Sequence, residues 1–67
     1  MRLKEVLKEY DYCDTIIIKS NQTGNEIKVK EYGVWIRNIE TYPDYRTRTI
    51  TSYGKDTAII EIVDKNE

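Results

Sequence analysis

The chain is expected to fold as an α+β domain, an N-terminal helix packed on a mainly antiparallel sheet of three to five strands. Three observations predict this. Apolar residues recur at helical spacing over two turns only within the first ten positions; most later apolar runs are β-branched and of strand length; and the breaks between those runs carry turn residues rather than a second long helical pattern. Without a crossover helix between the later strands, the natural arrangement is hairpins with the one helix laid across a face.

The helix is read from Leu3, Val6, Leu7 and Tyr10, which follow the i, i+3, i+4, i+7 spacing, with Lys4, Glu5, Lys8 and Glu9 on the outer face. So short a helix is marginal alone and must dock its apolar stripe. Residues 11–14 break the pattern, and 15–19 (TIIIK) form the first strand. Ile16 and Ile18 point one way and Ile17 the other, which places this strand centrally, covered on more than one side. A polar turn at 20–25, with Gly24 able to take positive φ, leads into 26–30, where Ile27 and Val29 alternate with Glu26, Lys28 and Lys30. These two strands read as an antiparallel hairpin.

Residues 32–40 fit two patterns: Val34 and Ile36 suit a strand, whereas Trp35, Ile36 and Ile39 suit one helical turn. An extended segment at 34–36 is favoured. Residues 41–44 (TYPD) follow as a turn, since Pro43 lacks a backbone donor and restricts Tyr42. A Thr-rich strand at 46–53 and an apolar strand at 58–63 (AIIEIV) flank Gly54, Lys55 and Asp56, the turn of a second hairpin. On simple alternation Arg46 and Arg48 share a face with Ile50 and Ser52, and Thr47, Thr49, Thr51 and Tyr53 share the other. Residues 64–67 are a polar tail. The expected core is Leu3, Val6, Leu7, Ile16, Ile18, Ile27, Val29, Ile60 and Ile62.

With 67 residues, the chain is expected to be a single domain, 1–67, with one core and no room for a deep cleft. Eleven Lys and Arg against twelve Asp and Glu give a net charge of −1, so no global field draws it to nucleic acid or an acidic membrane. The N-terminal segment breaks each apolar run with charge, unlike a signal peptide or membrane span, and the lone Cys13 suits a reducing compartment; the expectation is a soluble, cytoplasmic protein.

The chain contains no histidine, which removes the commonest general base, the usual metal ligand and every Ser-His or Cys-His nucleophile. One cysteine cannot build a zinc site, and Asp11 and Asp14 would raise the Cys13 pKa and suppress its thiolate. The same two aspartates are the one close acidic couple in an irregular segment, and read as solvated turn residues. Gly24, Gly33 and Gly54 are scattered and make no phosphate loop. No enzyme, cofactor or metal is therefore expected.

What remains is a cluster of Tyr42, Tyr45, Arg46, Arg48, Tyr53 and Lys55, in which Asp44 is the one acid. Such residues can clamp phosphates and stack bases, or form protein contacts; an ordinary exposed strand, with Thr chosen for β propensity and Arg for solubility, is the plainer account of them. Every aromatic residue except Trp35 is tyrosine, six in all, which suits rings half in and half out of a surface.

The opening MRLKEVLKEYDYCD, the strand TIIIK and the closing hairpin RTITSYGKDTAIIEIV together resemble small accessory proteins encoded by phages and mobile elements of Gram-positive bacteria. The resemblance covers nearly the whole chain, through hydrophobic spacing rather than a motif, so it assigns no functional residue. It implies an α+β domain made inside a bacterial cell; some such proteins inhibit a host defence protein, as anti-CRISPRs do, and some sequester a nucleotide signal. The expected function is thus a small protein-binding module, an inhibitor or regulator of a larger bacterial protein. The alternative is a nucleic-acid or nucleotide binder using the Tyr/Arg patch, and a homodimer is compatible with either.

Overall fold

The computed structural model describes residues 1–54 and 56–63. Along the chain run α1 (Leu3–Glu9), β1 (Thr15–Ser20), β2 (Glu26–Glu31), β3 (Val34–Trp35), β4 (Arg46–Tyr53) and β5 (Thr57–Val63). The strands form one five-stranded sheet in the order β3-β2-β1-β5-β4. Both expected hairpins are present, β1 with β2 and β4 with β5, and β3 adds to β2 antiparallel. They are joined by a parallel pairing of β1 with β5, so the sheet is mixed, with three antiparallel pairings and one parallel.

The core lies on one face of this sheet. Leu3, Val6 and Leu7 of α1 pack with Cys13, Ile16, Ile18, Val29, Ala58, Ile60 and Ile62, all buried. The parallel register sets Ile16 beside Ala58 and Ile18 beside Ile60, which gives the central strands one continuous apolar surface for the helix. α1 ends at Tyr10, whose N–H donates to the Val6 carbonyl; the following turn, closed by Cys13 N–H to the Tyr10 carbonyl, drops the Cys13 thiol into the core.

The β3 and β4 strands occupy opposite edges, so residues 36–45 must cross the sheet. Four inter-strand steps amount to about 19 Å, which an extended segment of that length covers easily. They cross on the helix side, where Ile39, Tyr42 and Tyr45 pack against the core. This strap replaces the expected helical-turn alternative, and the strand expected at 34–36 is limited to Val34 and Trp35.

Two β-bulges alter the expected faces. In the β1–β2 ladder Ile16 pairs with Lys30 and Ile17 with Lys28, leaving Val29 as an extra residue. Val29 and Lys30 are consequently both buried, and Lys30 joins the helix face. Ile27, expected in the core, is instead 37% exposed: β3 reaches only Lys30 and Glu31, so β2 has no outer neighbour beside Ile27. In the β4–β5 ladder Thr47 pairs with Ile62 and Thr49 with Glu61, so Arg48 is the extra residue.

Candidate functional site

None of the described residues forms a layer over the second face of the sheet. Cross-strand partners share a face, so the register assigns its occupants: Thr15, Ile17 and Lys19 of β1, Glu26 and Lys28 of β2, Thr57, Ile59, Glu61 and Val63 of β5, and Arg46, Thr49, Thr51 and Tyr53 of β4. Ile17, expected to be covered, is half-buried here. The bulge at Arg48 is what brings Arg46 onto the face with Thr49, Thr51 and Tyr53. This corrects the alternation reading, which put Arg46 with Ile50 and Ser52; Thr47 goes to the helix face instead.

The six residues singled out in the sequence are distributed as follows. Arg46, Arg48 and Tyr53 are exposed on β4, and Tyr53 is 59% exposed. Tyr42 and Tyr45 lie on the opposite side in the strap, half-buried against the core, with ring centroids 6.1 Å apart in an edge-on arrangement. Lys55 falls outside the described residues. Within the patch, Arg46 and Tyr53 stand at opposite ends of β4, about 23 Å apart at the usual rise per residue. One chain therefore does not bring all of these groups together.

Polar chemistry on the open face runs in one row across the sheet: Thr49, Glu61, Lys19 and Glu26 stand side by side. The Thr49 hydroxyl donates to Glu61 Oε1 at 2.8 Å. Further along β2, Lys28 pairs with Glu31, and this carboxylate holds the lysine pKa above its ordinary value, through the hydrogen bond first and its charge second. A depression of about 130 Å³ is lined by Lys19, Glu26, Thr49, Thr51, Tyr53, Ile59 and Glu61. Pockets that enclose a drug-sized molecule are larger, about 300 to 1,000 Å³, so this dip suits one inserted side chain rather than a whole ligand.

Sequence reasoning missed a second exposed group. Tyr32, Val34 and Ile36 project at the β2–β3 end of the sheet, and Tyr12 is exposed as well. Tyr32 is 87% exposed with φ of 51°, followed by Gly33 at 76°, two consecutive positive values. That is the backbone of a tight two-residue hairpin turn, which favours Asn-Gly over a ring residue. Gly33 reads as a turn residue from the sequence, but a Tyr-Gly dipeptide lacks the Asn-Gly or Asp-Gly signature of this turn, so the exposed Tyr32 beside it was not singled out.

No group of three or more His, Cys, Asp or Glu side chains is placed to hold a metal among the described residues. Cys13 is a buried free thiol. No helix among the described residues is long and apolar enough to cross a membrane. Compared with models of known protein families, with curated proteins and with solved structures, the chain matches none.

Proposed function

We propose that this chain is a binding module without catalytic activity, and that it docks a larger protein on its open sheet face; with the resemblance to phage and mobile-element accessory proteins, the partner is a bacterial protein that it inhibits or regulates, inside the host cell. The observation that carries the reading is the exposure of guanidinium and ring side chains on a face that no described element covers: Arg46 and Tyr53 on β4, with Arg48 in the adjacent bulge. Across the sheet, Val34 pairs with Glu31 on the same face and is 62% exposed. Arg and Tyr are over-represented among residues that dominate interface energies, and the charges alternate in sign, as suits a protein surface better than a polyanion. The lack of histidine and the shallow relief of the face also favour binding over chemistry.

The test is affinity capture from bacterial lysate with and without nuclease treatment, followed by titration of the captured species with the wild type and with Arg46→Ala/Arg48→Ala. The double variant is expected to melt as the wild type does, because exposed charges contribute little to stability. It should bind more weakly by about 2 kcal/mol or more if the arginines are hot spots. A protein interface gives a shallow dependence on salt. Loss of the captured species on nuclease treatment, with a salt slope that falls by about one per arginine removed, would replace the protein reading by phosphate recognition. Unchanged affinity would remove the face from consideration.

A further inference from the structure

The outer edge of β4 is covered only at its start, along the first two of its eight residues. The Leu3 N–H donates to the Tyr45 carbonyl at 2.8 Å and the Thr47 N–H to the Met1 carbonyl at 2.9 Å, and Arg2 bridges to Arg46, so residues 1–3 act as a short extra strand against residues 45–47. Beyond them no described residue pairs with the outer edge of residues 48–53, whereas the opposite edge strand, β3, spans two residues. A sheet edge of this length is a template for another strand unless it is blunted. Residues 49–53 contain no proline and no charge.

From this edge we infer that β4 pairs with β4 of a second copy, antiparallel about a two-fold axis through Thr51, so that two sheets become one. The register follows by exclusion. A two-fold axis normal to the sheet preserves faces, so paired residues share a face and their numbers sum to an even value. Centring on Ile50 would set Tyr53 of the partner subunit against Thr47, where Met1 already sits. Centring on Ser52 would pair only three residues before the Gly54 turn is reached. Centring on Thr51 pairs Thr49 with Tyr53 of the partner subunit, Ile50 with the partner's Ser52, and Thr51 with its own copy. Among the described residues no two like charges then face one another: Arg48 meets Gly54 of the partner subunit, and the partner's Asp56 on the same turn provides a carboxylate at that end.

The pairing also assembles the site. Within one chain the arginines and Tyr53 stand at opposite ends of β4; across the two-fold, the arginine end of each copy lies beside Tyr53 of the other. The dimer stands on the geometry of the edge, and its connection to the site rests on the proposed reading of Arg46, Arg48 and Tyr53 as contact residues.

Disulfide trapping tests the register. Thr51→Cys places two thiols on directly opposed residues, whose Cα atoms are about 4.5 to 5.5 Å apart in antiparallel strands, within the range a disulfide bridges. Under mild oxidation it is expected to convert to a covalent dimer. Tyr53→Cys alone is expected to stay monomeric on a reducing-agent-free gel, while a mixture of Thr49→Cys with Tyr53→Cys gives the mixed dimer; the buried Cys13 leaves the wild type unlinked. Sedimentation of the unmodified chain should show the dimer, and Thr51→Lys, which sets two ammonium groups at the axis, should shift it to monomer with an unchanged circular dichroism spectrum. A chain that sediments as a monomer at all concentrations, or that crosslinks no better through Thr51→Cys than through Tyr53→Cys, overturns the proposal. These readouts need no partner, so a dimer whose arginine variants bind normally would discard the functional reading alone, and a monomer whose arginine variants bind weakly would discard the dimer alone.

Discussion

Asp44 holds the start of the helix from forty positions away in the chain. The first turn of any helix leaves N–H groups without partners, and here they are satisfied from outside: Asp44 Oδ1 accepts from the Lys4 N–H at 3.0 Å, while the Leu3 N–H is taken by the Tyr45 carbonyl. Arg2, at the cap position, has no acceptor atom in its side chain, so the local support is the Glu5 carboxylate reaching back to the Arg2 N–H at a long 3.4 Å. Asp44 is thus the helix cap, and Asp44→Ala should cost about 1 kcal/mol in a urea melt, the usual loss for a capping side chain. Asp44→Asn, which keeps the acceptor, should recover most of it; equal losses in both would mean that the carboxylate acts through its charge, and no loss in Asp44→Ala would mean that the bond is not made. At the other end of the helix Lys30, 6% exposed, is the one buried charged residue described. Its ammonium donates to the Asp11 carbonyl, lies 3.6 Å from the Asp11 carboxylate and 4.9 Å from the centre of the Trp35 ring. The bulge at Val29 turns this lysine inward, and its partners explain how the charge is tolerated there.

At the scale of elements, what periodicity could see was legible and what single insertions decide was not. The helix stripe Leu3, Val6, Leu7 and the strands around Ile16, Ile18, Ile60 and Ile62 follow from spacing alone, since burial enforces it along each element. A bulge adds one residue without changing residue types, so nothing in RTRTITSY marks Arg48 as the extra one, yet it moves Arg46 to the other face. The strap was illegible for another reason: only the parallel β1–β5 pairing sends β3 and β4 to opposite edges, and strand order is a long-range property. The open face was therefore half visible, as a Tyr/Arg cluster whose composition was readable and whose division between two sides of the sheet was not. The β2–β3 turn offers a direct check. Tyr32 holds φ of 51°, where a non-glycine residue is disfavoured and asparagine is enriched. Tyr32→Asn should raise stability by a few tenths to about 1 kcal/mol, because Asn-Gly is the preferred pair for this turn. If it also weakens partner binding, the strain is maintained for the exposed ring; destabilisation would show that the ring packs on Tyr12 or its neighbours in solution.

The molecule as a whole depends on a single layer of contacts. Every core residue described lies between one face of the sheet and the cover formed by α1 and the strap, and no described element covers the other face. A domain of this size draws only about 3 to 5 kcal/mol from such a core, so each buried side chain of the helix is a large fraction of the total. Leu7, at 1% exposure, is a member of this core. Leu7→Ala should then cost about 2 to 4 kcal/mol, enough to leave much of the chain unfolded at ambient temperature. Because the same core also fixes the strap and Trp35, the loss should be cooperative: urea melts followed by Trp35 fluorescence, which senses the β3 edge, and by far-ultraviolet dichroism, which senses the whole fold, should coincide in the wild type and move together in the variant. A shift below half a kcal/mol would mean that α1 is not docked on the sheet, and separate midpoints for the two probes would mean that the β3 edge unfolds independently of the helix. A variant rescued by raising protein concentration would connect this marginal core to the β4 edge, since an interface that forms only in the folded state adds its binding free energy to stability.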